Sequence, residues 1–385
     1  MKLYSSLTQT VEEFKPLKKD TVSLYVCGIT PEGPAHLGHA FTNVIFDVLA
    51  RYLSYQGFDI NYTQNVTDID DDILRKAKEE HQDWQKLGQF WTDKFLNDLE
   101  SLNILVPTHY VKATDSIKKI IEIVSDLVKK GFAYEKSGNV YFAVKKFKTY
   151  GQLSKYTKKQ MLLLSKERGA DPNDANKKDP LDFILWQKAK LGEPSWESPW
   201  GKGRPGWHIE CSAMINTYLG EQIDIHGGGR DLIYPHHESE IAQSESFTGK
   251  KPFVGYWLHI GMVMYEGEKM AKSLGNLVMV SELAKRYSAN TIRWLLLAHH
   301  YRRPWEFEYA EIEEAAERVL SIQKFLAADN HTKLDNQKMK NFAEIMDDDL
   351  NTPKVLDLVL SFLGNQENKE TVKQILAILG FDFSS

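Results

Sequence analysis

The chain has 385 residues, 42% of them hydrophobic and 26% charged, with a formal net charge of −5. That length holds two or three domains with a sizeable core, and the composition is that of a folded globular protein. The acidic balance excludes a chain-wide basic surface for nucleic acid and leaves only local runs, Lys145-Lys146-Phe147-Lys148 and Lys177-Lys178, which read first as solvated faces.

Residues 22–27 predict a buried strand. Residues 38–57 predict a helix with Val44, Ile45, Val48, Leu49, Tyr52 and Leu53 on one face, ended by Gly57. Asp59 to Gln64 predicts the next strand. Strand, glycine-bearing turn, helix, strand is a βαβ unit, so a parallel sheet is expected. Its turn would lie at the carboxyl edge of the sheet, where such folds bind nucleotides. Residues 72–130 read as mainly helical, and Phe132 to Val144 as a hairpin broken at Lys136-Ser137-Gly138-Asn139. Residues 150–205 are rich in Pro, Gly and Trp and read as loops inserted between two halves of one sheet. Sheet character returns at Gln222 to His226 and Phe253 to Met264. Helices are expected at 290–300, 308–327, 335–347, 353–364 and 370–380. The expected division is a catalytic domain over 1–289, with the insertion at about 100–205, and a helical bundle over 290–385.

The two cysteines, Cys27 and Cys211, make no disulfide framework. Met1 to Lys19 lacks the apolar stretch of a signal peptide, and no apolar run approaches the length of a membrane span. The expected location is the cytoplasm, where thiols stay reduced and can hold a metal.

Pro34-Ala35-His36-Leu37-Gly38-His39 occupies the turn between the first strand and its helix. A helix start offers N–H groups and a positive dipole end to phosphate. Gly38 lets backbone approach a nucleotide, and His36 and His39, three apart, can converge on one ligand. Much later, Glu268-Lys269-Met270-Ala271-Lys272-Ser273-Leu274-Gly275-Asn276 sets Lys269 and Lys272 three apart in a glycine-bounded loop. Ammonium groups there can follow charge onto a leaving pyrophosphate. Each element alone reads as a surface feature. Together, in this order, they resemble the HIGH and KMSKS motifs of class I aminoacyl-tRNA synthetases, here HLGH and KMAKS. Ala271 replaces the usual serine, which is expected to change a rate more than to abolish chemistry.

Cys27, Cys211 and Pro235-His236-His237-Glu238-Ser239-Glu240 offer thiols, imidazole and carboxylate, a donor set that suits zinc. His236 and Glu240 are four apart and share a helix face. No CxxC pair is present, and two small buried apolar cysteines are the plain alternative.

The surrounding words are more specific. Tyr25-Val26-Cys27-Gly28, Asn65-Val66-Thr67-Asp68-Ile69-Asp70-Asp71, Gly203 to Met214, Asp224 to Gly229 and Pro235 to Ser244 resemble cysteinyl-tRNA synthetase, within a likeness spanning roughly residues 20 to 380. The resemblance implies an α/β fold: a Rossmann-like parallel-sheet nucleotide-binding domain of class I synthetase type, with an inserted middle region and a C-terminal helical bundle. It implies Zn2+ held by Cys27, Cys211, His236 and Glu240, and L-cysteine bound by Cys27, Gly28, Thr67, Trp207 and Asp231. It implies ATP, with Mg2+, at Thr30, His36, Gly38, His39, Lys269, Lys272 and Ser273, with His36, His39, Lys269 and Lys272 as the catalytic set. In that family zinc also takes the substrate thiolate, which separates cysteine from serine without an editing site.

A second relative, the mycothiol-pathway cysteine ligase, shares this core, and both enzymes first form cysteinyl-adenylate. Gly28-Ile29-Thr30-Pro31, Glu167 to Pro172, Gly192 to Trp196 and Leu296 to Arg302 resemble it. The sequence stops after the helical bundle, without the anticodon-binding domain expected of a tRNA enzyme. Glu240, Asp224-Ile225-His226 and a lysine- and asparagine-rich composition point back to the tRNA enzyme. The sequence balance favours the amine of a glucosaminyl-inositol-type molecule as acceptor, with tRNA(Cys) as the alternative, and a monomer. Asp68, Asp70, His208 and His237 stay open as general base of the transfer step.

Overall fold

The computed structural model describes all residues except 271–273, 329–331 and 384–385. An amino-terminal hairpin, β1 (Lys2–Ser5) and β2 (Thr10–Glu13), precedes β3 (Thr21–Ile29), α1 (Leu37–Tyr55) and β4 (Asp59–Val66). β3 and β4 pair in parallel, so the expected βαβ unit is present. Helices α2 (Asp71–Glu79) and α3 (Trp84–Ser101) follow, then β5 (His109–Lys112) and α4 (Ile117–Lys129). β5 corrects the reading of 72–130 as mainly helical. It is four residues long with one buried side chain, too short for an alternating pattern to register.

β6 (Ala133–Lys136) and β7 (Asn139–Phe142) form the expected hairpin, with Ser137 and Gly138 at positive φ. The next segment is more regular than its composition suggests. α5 (Lys158–Glu167), β8 (Phe183–Lys188) and β9 (Gly203–Pro205) lie within it, and β6-β7-β8-β9 is one antiparallel sheet. Then come α6 (Trp207–Tyr218), β10 (Ile223–Gly229), α7 (Glu238–Thr248) and β11 (Val254–Ile260). They complete a five-stranded, all-parallel sheet of order β11-β10-β3-β4-β5. The stretch expected as one strand to Met264 breaks at Gly261-Met262. Beyond the break, β12 (Val263–Tyr265) joins β13 (Glu268–Lys269) and, past α8 (Val280–Leu283) and α9 (Ala289–Leu297), β14 (Trp305–Glu306). The chain continues through α10 (Tyr309–Leu326), α11 (Asn336–Met346), α12 (Thr352–Phe362) and α13 (Lys369–Ile378), which with α9 match the five helices expected from sequence.

Alternation along β3 divides the interior. Val22, Leu24 and Val26 face one core, shared with α1 and the helices from α9 onward. Tyr25 and Cys27 face another, shared with α4, α6 and the antiparallel sheet. On the first side a buried ion pair joins Arg293 of α9 to Asp47 of α1 at 2.5 Å. Arg293 also donates to the carbonyls of Leu102 (2.9 Å) and Leu379 (2.6 Å).

Candidate active site

At the carboxyl ends of β3, β4 and β10 lies a cavity of about 300 Å³. Its walls include Cys27, Gly28, Thr30, Thr67, Trp207, Cys211, Asp231 and His236, and also His36, Gly38 and His39. Both motif families read from the sequence thus face one space. Close packing of β3 on β4 shapes the floor. A Cβ on Gly28 would stand 1.6 Å from the Asn65 carbonyl oxygen, so no larger residue fits there. The Gly28 N–H donates to Asn65 Oδ1 at 2.9 Å, and Asn65 Nδ2 donates to Thr67 Oγ1 at 3.3 Å.

Cys27 comes from β3, Cys211 from α6, His236 from the turn Ile233–His237, and Glu240 from the first turn of α7. Their ligand atoms lie within 4.8 Å of one another and all four residues are buried. Cys27 Sγ is 3.8 Å from Cys211 Sγ, which is 3.3 Å from His236 Nε2. Glu240 Oε1 is 3.2 Å from His236 Nε2 and 4.0 Å from Cys27 Sγ. Ligands about 2.0–2.3 Å from a tetrahedral zinc lie roughly 3.3–3.8 Å apart, so the four residues fit that ion. Burial pushes the Cys27 thiol well up, helped by Cys211 and Glu240. Burial likewise pushes the Glu240 carboxyl well up and the His236 imidazole well down. A cation supplies the charge that would hold such groups as thiolate, carboxylate and neutral ring. Trp207 stacks on His236 at 4.5 Å between ring centroids, which fixes the imidazole plane.

The HLGH turn caps its own helix. His36 is the N-cap of α1, and its Nδ1 accepts the Gly38 N–H at 3.1 Å. The His36 N–H points to His39 Nδ1 at 3.4 Å, and the two rings stack at 3.7 Å. The helix start is therefore closed by imidazole, where the sequence alone suggested open N–H groups. The flank of the KMAKS loop is tied to this turn: Leu37 N donates to the Val278 carbonyl at 2.8 Å, and Val280 N to that of Ala35 at 3.0 Å. Met270 lines the cavity, whereas Lys269 is exposed on β13. Ala271, Lys272 and Ser273 lie outside the described residues.

Other expected groups have defined partners. Asp231 forms an ion pair with Arg168 at 2.6 Å. Asp68 accepts from Thr114 N and Oγ1, at 3.0 and 2.6 Å. His208 lines a neighbouring cavity, with Nδ1 3.1 Å from His236 Nδ1, and burial lowers it to about 3. His237 is wholly buried, with Nε2 3.3 Å from Cys27 Sγ. Sequence reasoning passed over His259, and noted His226 without a role at the site. Both sit on buried strands of the parallel sheet, His226 on β10 beside Glu240 and His259 on the edge strand β11 beside His237. Two histidines within buried strands were the signal that could have found them.

Asp70 caps α2 through Ile73 N (2.9 Å) and accepts from Thr30 Oγ1 (3.1 Å). Burial raises its carboxyl to about 6. The folded chain thus keeps a proton that the unfolded chain loses near 4, so this group's contribution is whole below that pH and fades as pH rises through 6. Asp70→Asn is expected to flatten stability between pH 4 and 6 by on the order of 2 kcal/mol, read as the urea midpoint at each pH.

Comparison with known proteins agrees with this geometry. Residues 13–317 match the family model "tRNA synthetases class I (C) catalytic domain". The chain is 45% identical to a cysteine–tRNA ligase of Dehalococcoides mccartyi, over 99% of this chain and 86% of that one. It is 46% identical to that of Legionella pneumophila, over 98% and 84%. Among solved structures, Mycobacterium tuberculosis methionyl-tRNA synthetase in complex with methionyl-adenylate superposes with a TM-score of 0.66 at 16% identity, covering 94% of this chain and 86% of that one, a likeness of fold. With the parallel sheet, the HLGH turn and the Cys27–Cys211–His236–Glu240 quartet in place, the chain belongs to the class I cysteine–tRNA ligase family, ATP-dependent ligases that form AMP and pyrophosphate.

Proposed function

We propose that this chain activates L-cysteine with ATP and transfers the cysteinyl group to tRNA(Cys). The observation that carries the reading is that Cys27, Cys211 and His236 line the cavity that also holds the HLGH turn, with Glu240, the fourth member of their quartet, buried behind them. The two relatives at 45% and 46% identity, both cysteine–tRNA ligases, move the balance away from the amino-sugar acceptor that the sequence favoured. Zinc bound by the quartet would take the substrate sulfur as thiolate, which a serine hydroxyl cannot match. Thr67 and Asp231 would hold the substrate ammonium, Asp231 exchanging its Arg168 partner for it. Trp207 would line the side-chain pocket, beside Gly28. ATP with Mg2+ would lie along Thr30, His36, Gly38 and His39, with Lys269, Lys272 and Ser273 on the departing pyrophosphate. A carboxylate oxygen of cysteine attacks the α-phosphorus, the bond to pyrophosphate breaks, and AMP leaves when the acceptor attacks the carbonyl. Positioning and charge stabilisation supply most of the acceleration. We read residues 1–289 as the catalytic domain and 290–385 as a helical bundle, in a cytoplasmic monomer. Among the described residues no helix is long and apolar enough to cross a membrane.

The test offers enzyme, ATP and radiolabelled cysteine to total tRNA in one tube and to glucosaminyl-inositol in another. Label in base-labile, acid-precipitable tRNA is expected. Label in a base-stable amide would return the amine-ligase reading. Asp231→Asn is expected to raise the KM for cysteine in ATP–pyrophosphate exchange by about 10- to 100-fold, the scale of one hydrogen bond to a charged group, with metal content unchanged.

A further inference from the structure

A second cavity, of about 440 Å³, lies against the first. Arg168 and Trp207 stand in the walls of both. Phe183, Ile184 and Gln187 of β8 and Arg204 of β9 line its other side, and Asp70 and Asp71 close it from the start of α2. Its size is that of a small-molecule site. With cysteine at Cys27, Thr67 and Asp231 and ATP along the HLGH turn, the acceptor must reach the cysteinyl carbonyl from a third direction. The partition made by Arg168 and Trp207 faces that direction.

The second cavity has the chemistry of a nucleoside site. Phe183 and Trp207 offer aromatic faces to a base. Aspartates and cationic side chains are nearly balanced in its walls, which suits a nucleoside better than a polyphosphate. Arg204 is 3% exposed and pairs with Asp71 through Nη2. Its Nε has no hydrogen-bond partner among the described residues, and Glu193 Oε2 stands 3.9 Å away. A buried donor without an acceptor is costly, and an oxygen of a bound ribose would satisfy it.

Arg168 links the two spaces. Its Nη2 donates to Asp231 Oδ2 at 2.6 Å. Asp231 is the group that would hold the substrate ammonium, so cysteine must displace Arg168 to bind. The released guanidinium is then a donor fork without its anion, on the wall of the second cavity.

We propose that the second cavity receives the terminal nucleoside of tRNA(Cys), and that Arg168, once cysteine displaces it from Asp231, donates to that nucleoside. The proposal rests on the tRNA-ligase reading and gives the acceptor its place within it. The ribose hydroxyl oxygen bonds to the cysteinyl carbonyl carbon, and the bond from that carbon to the AMP oxygen breaks. The AMP phosphate keeps the electron pair and takes the hydroxyl proton. Cysteine thus readies the acceptor's seat before the acceptor arrives.

The experiment measures the two half-reactions separately in the full chain: ATP–pyrophosphate exchange, and single-turnover transfer from preformed cysteinyl-adenylate to tRNA. Ile184→Trp fills the second cavity. It is expected to leave exchange as in the parent and to slow transfer by about 100-fold, the scale of a misplaced reactant. Gln187→Trp, also half-buried on β8, serves if Ile184→Trp does not fold. Arg168→Ala is expected to split the steps in opposite senses. The KM for cysteine in exchange falls by about 2- to 5-fold, because an exposed ion pair no longer competes for Asp231. Transfer slows by about 10-fold, the scale of one hydrogen bond from a charged group. Arg168→Lys is expected to move both values back toward the parent. Unimpaired transfer in the tryptophan variants, or exchange and transfer falling together, would overturn the proposal. So would a KM that rises in Arg168→Ala, which would put Arg168 on cysteine itself. A parent chain that forms the adenylate and labels only glucosaminyl-inositol would instead bring down the tRNA reading.

Discussion

Cys211→Ala is expected to lose the metal and, with it, cysteine-dependent ATP–pyrophosphate exchange, by about a thousandfold or more in kcat/KM. The residue supplies one of two thiols, 3.8 Å from the other and 3.3 Å from His236 Nε2. Removing it leaves Cys27 and Glu240 buried, where desolvation favours their protonated forms. The remaining donors then bind a cation poorly. Zinc content by elemental analysis should fall in step with activity, while the circular dichroism spectrum stays that of the parent. A metal-free Cys211→Ala protein with normal exchange would refute the role given to the quartet.

Arg293→Met is expected to be the most destabilising single change outside the site, by about 3–5 kcal/mol. Arg293 and Asp47 are both fully buried, and Asp47 also accepts from Arg51 Nε and from Leu105 N, each at 2.9 Å. The methionine removes the strongest partner and leaves a charge in the core. It also orphans the Leu379 carbonyl next to Gly380, where a Cβ would stand 2.0 Å from Arg293 Nη2. The double variant Asp47→Leu/Arg293→Met should recover much of the loss, since the penalty comes from the stranded carboxylate. Urea unfolding of the three proteins checks this, and equal stability of single variant and parent would sink it.

The parts of this fold with a long period were legible in the sequence. α1 shows its apolar face over five turns, and the helices from α9 onward do the same. β5 and β9 were not, because strands of three or four residues carry no period, and Pro, Gly and Trp near β9 read as loop. All four quartet residues were legible through the words around them, although Cys27 and Cys211 stand far apart in the chain. The support behind them was not. His259 and Ser6 sit 253 positions apart and meet only because β11 runs beside the hairpin. Arg168 on Asp231 was hidden for the same reason: no spacing rule links them.

β3 presents Val26 to one side of the sheet and Cys27 to the other, one residue later. The sheet therefore insulates its two sides from each other. Stripping the metal should loosen backbone protection in α6, α7 and the β6-to-β9 sheet, which pack around Cys27 and Cys211. The helices that flank α1 rest on the opposite face, and their amides should exchange with deuterium at nearly the same rate in either state. The metal-free protein would then keep its secondary structure on both sides of the sheet, while one side opens to solvent more often than the other.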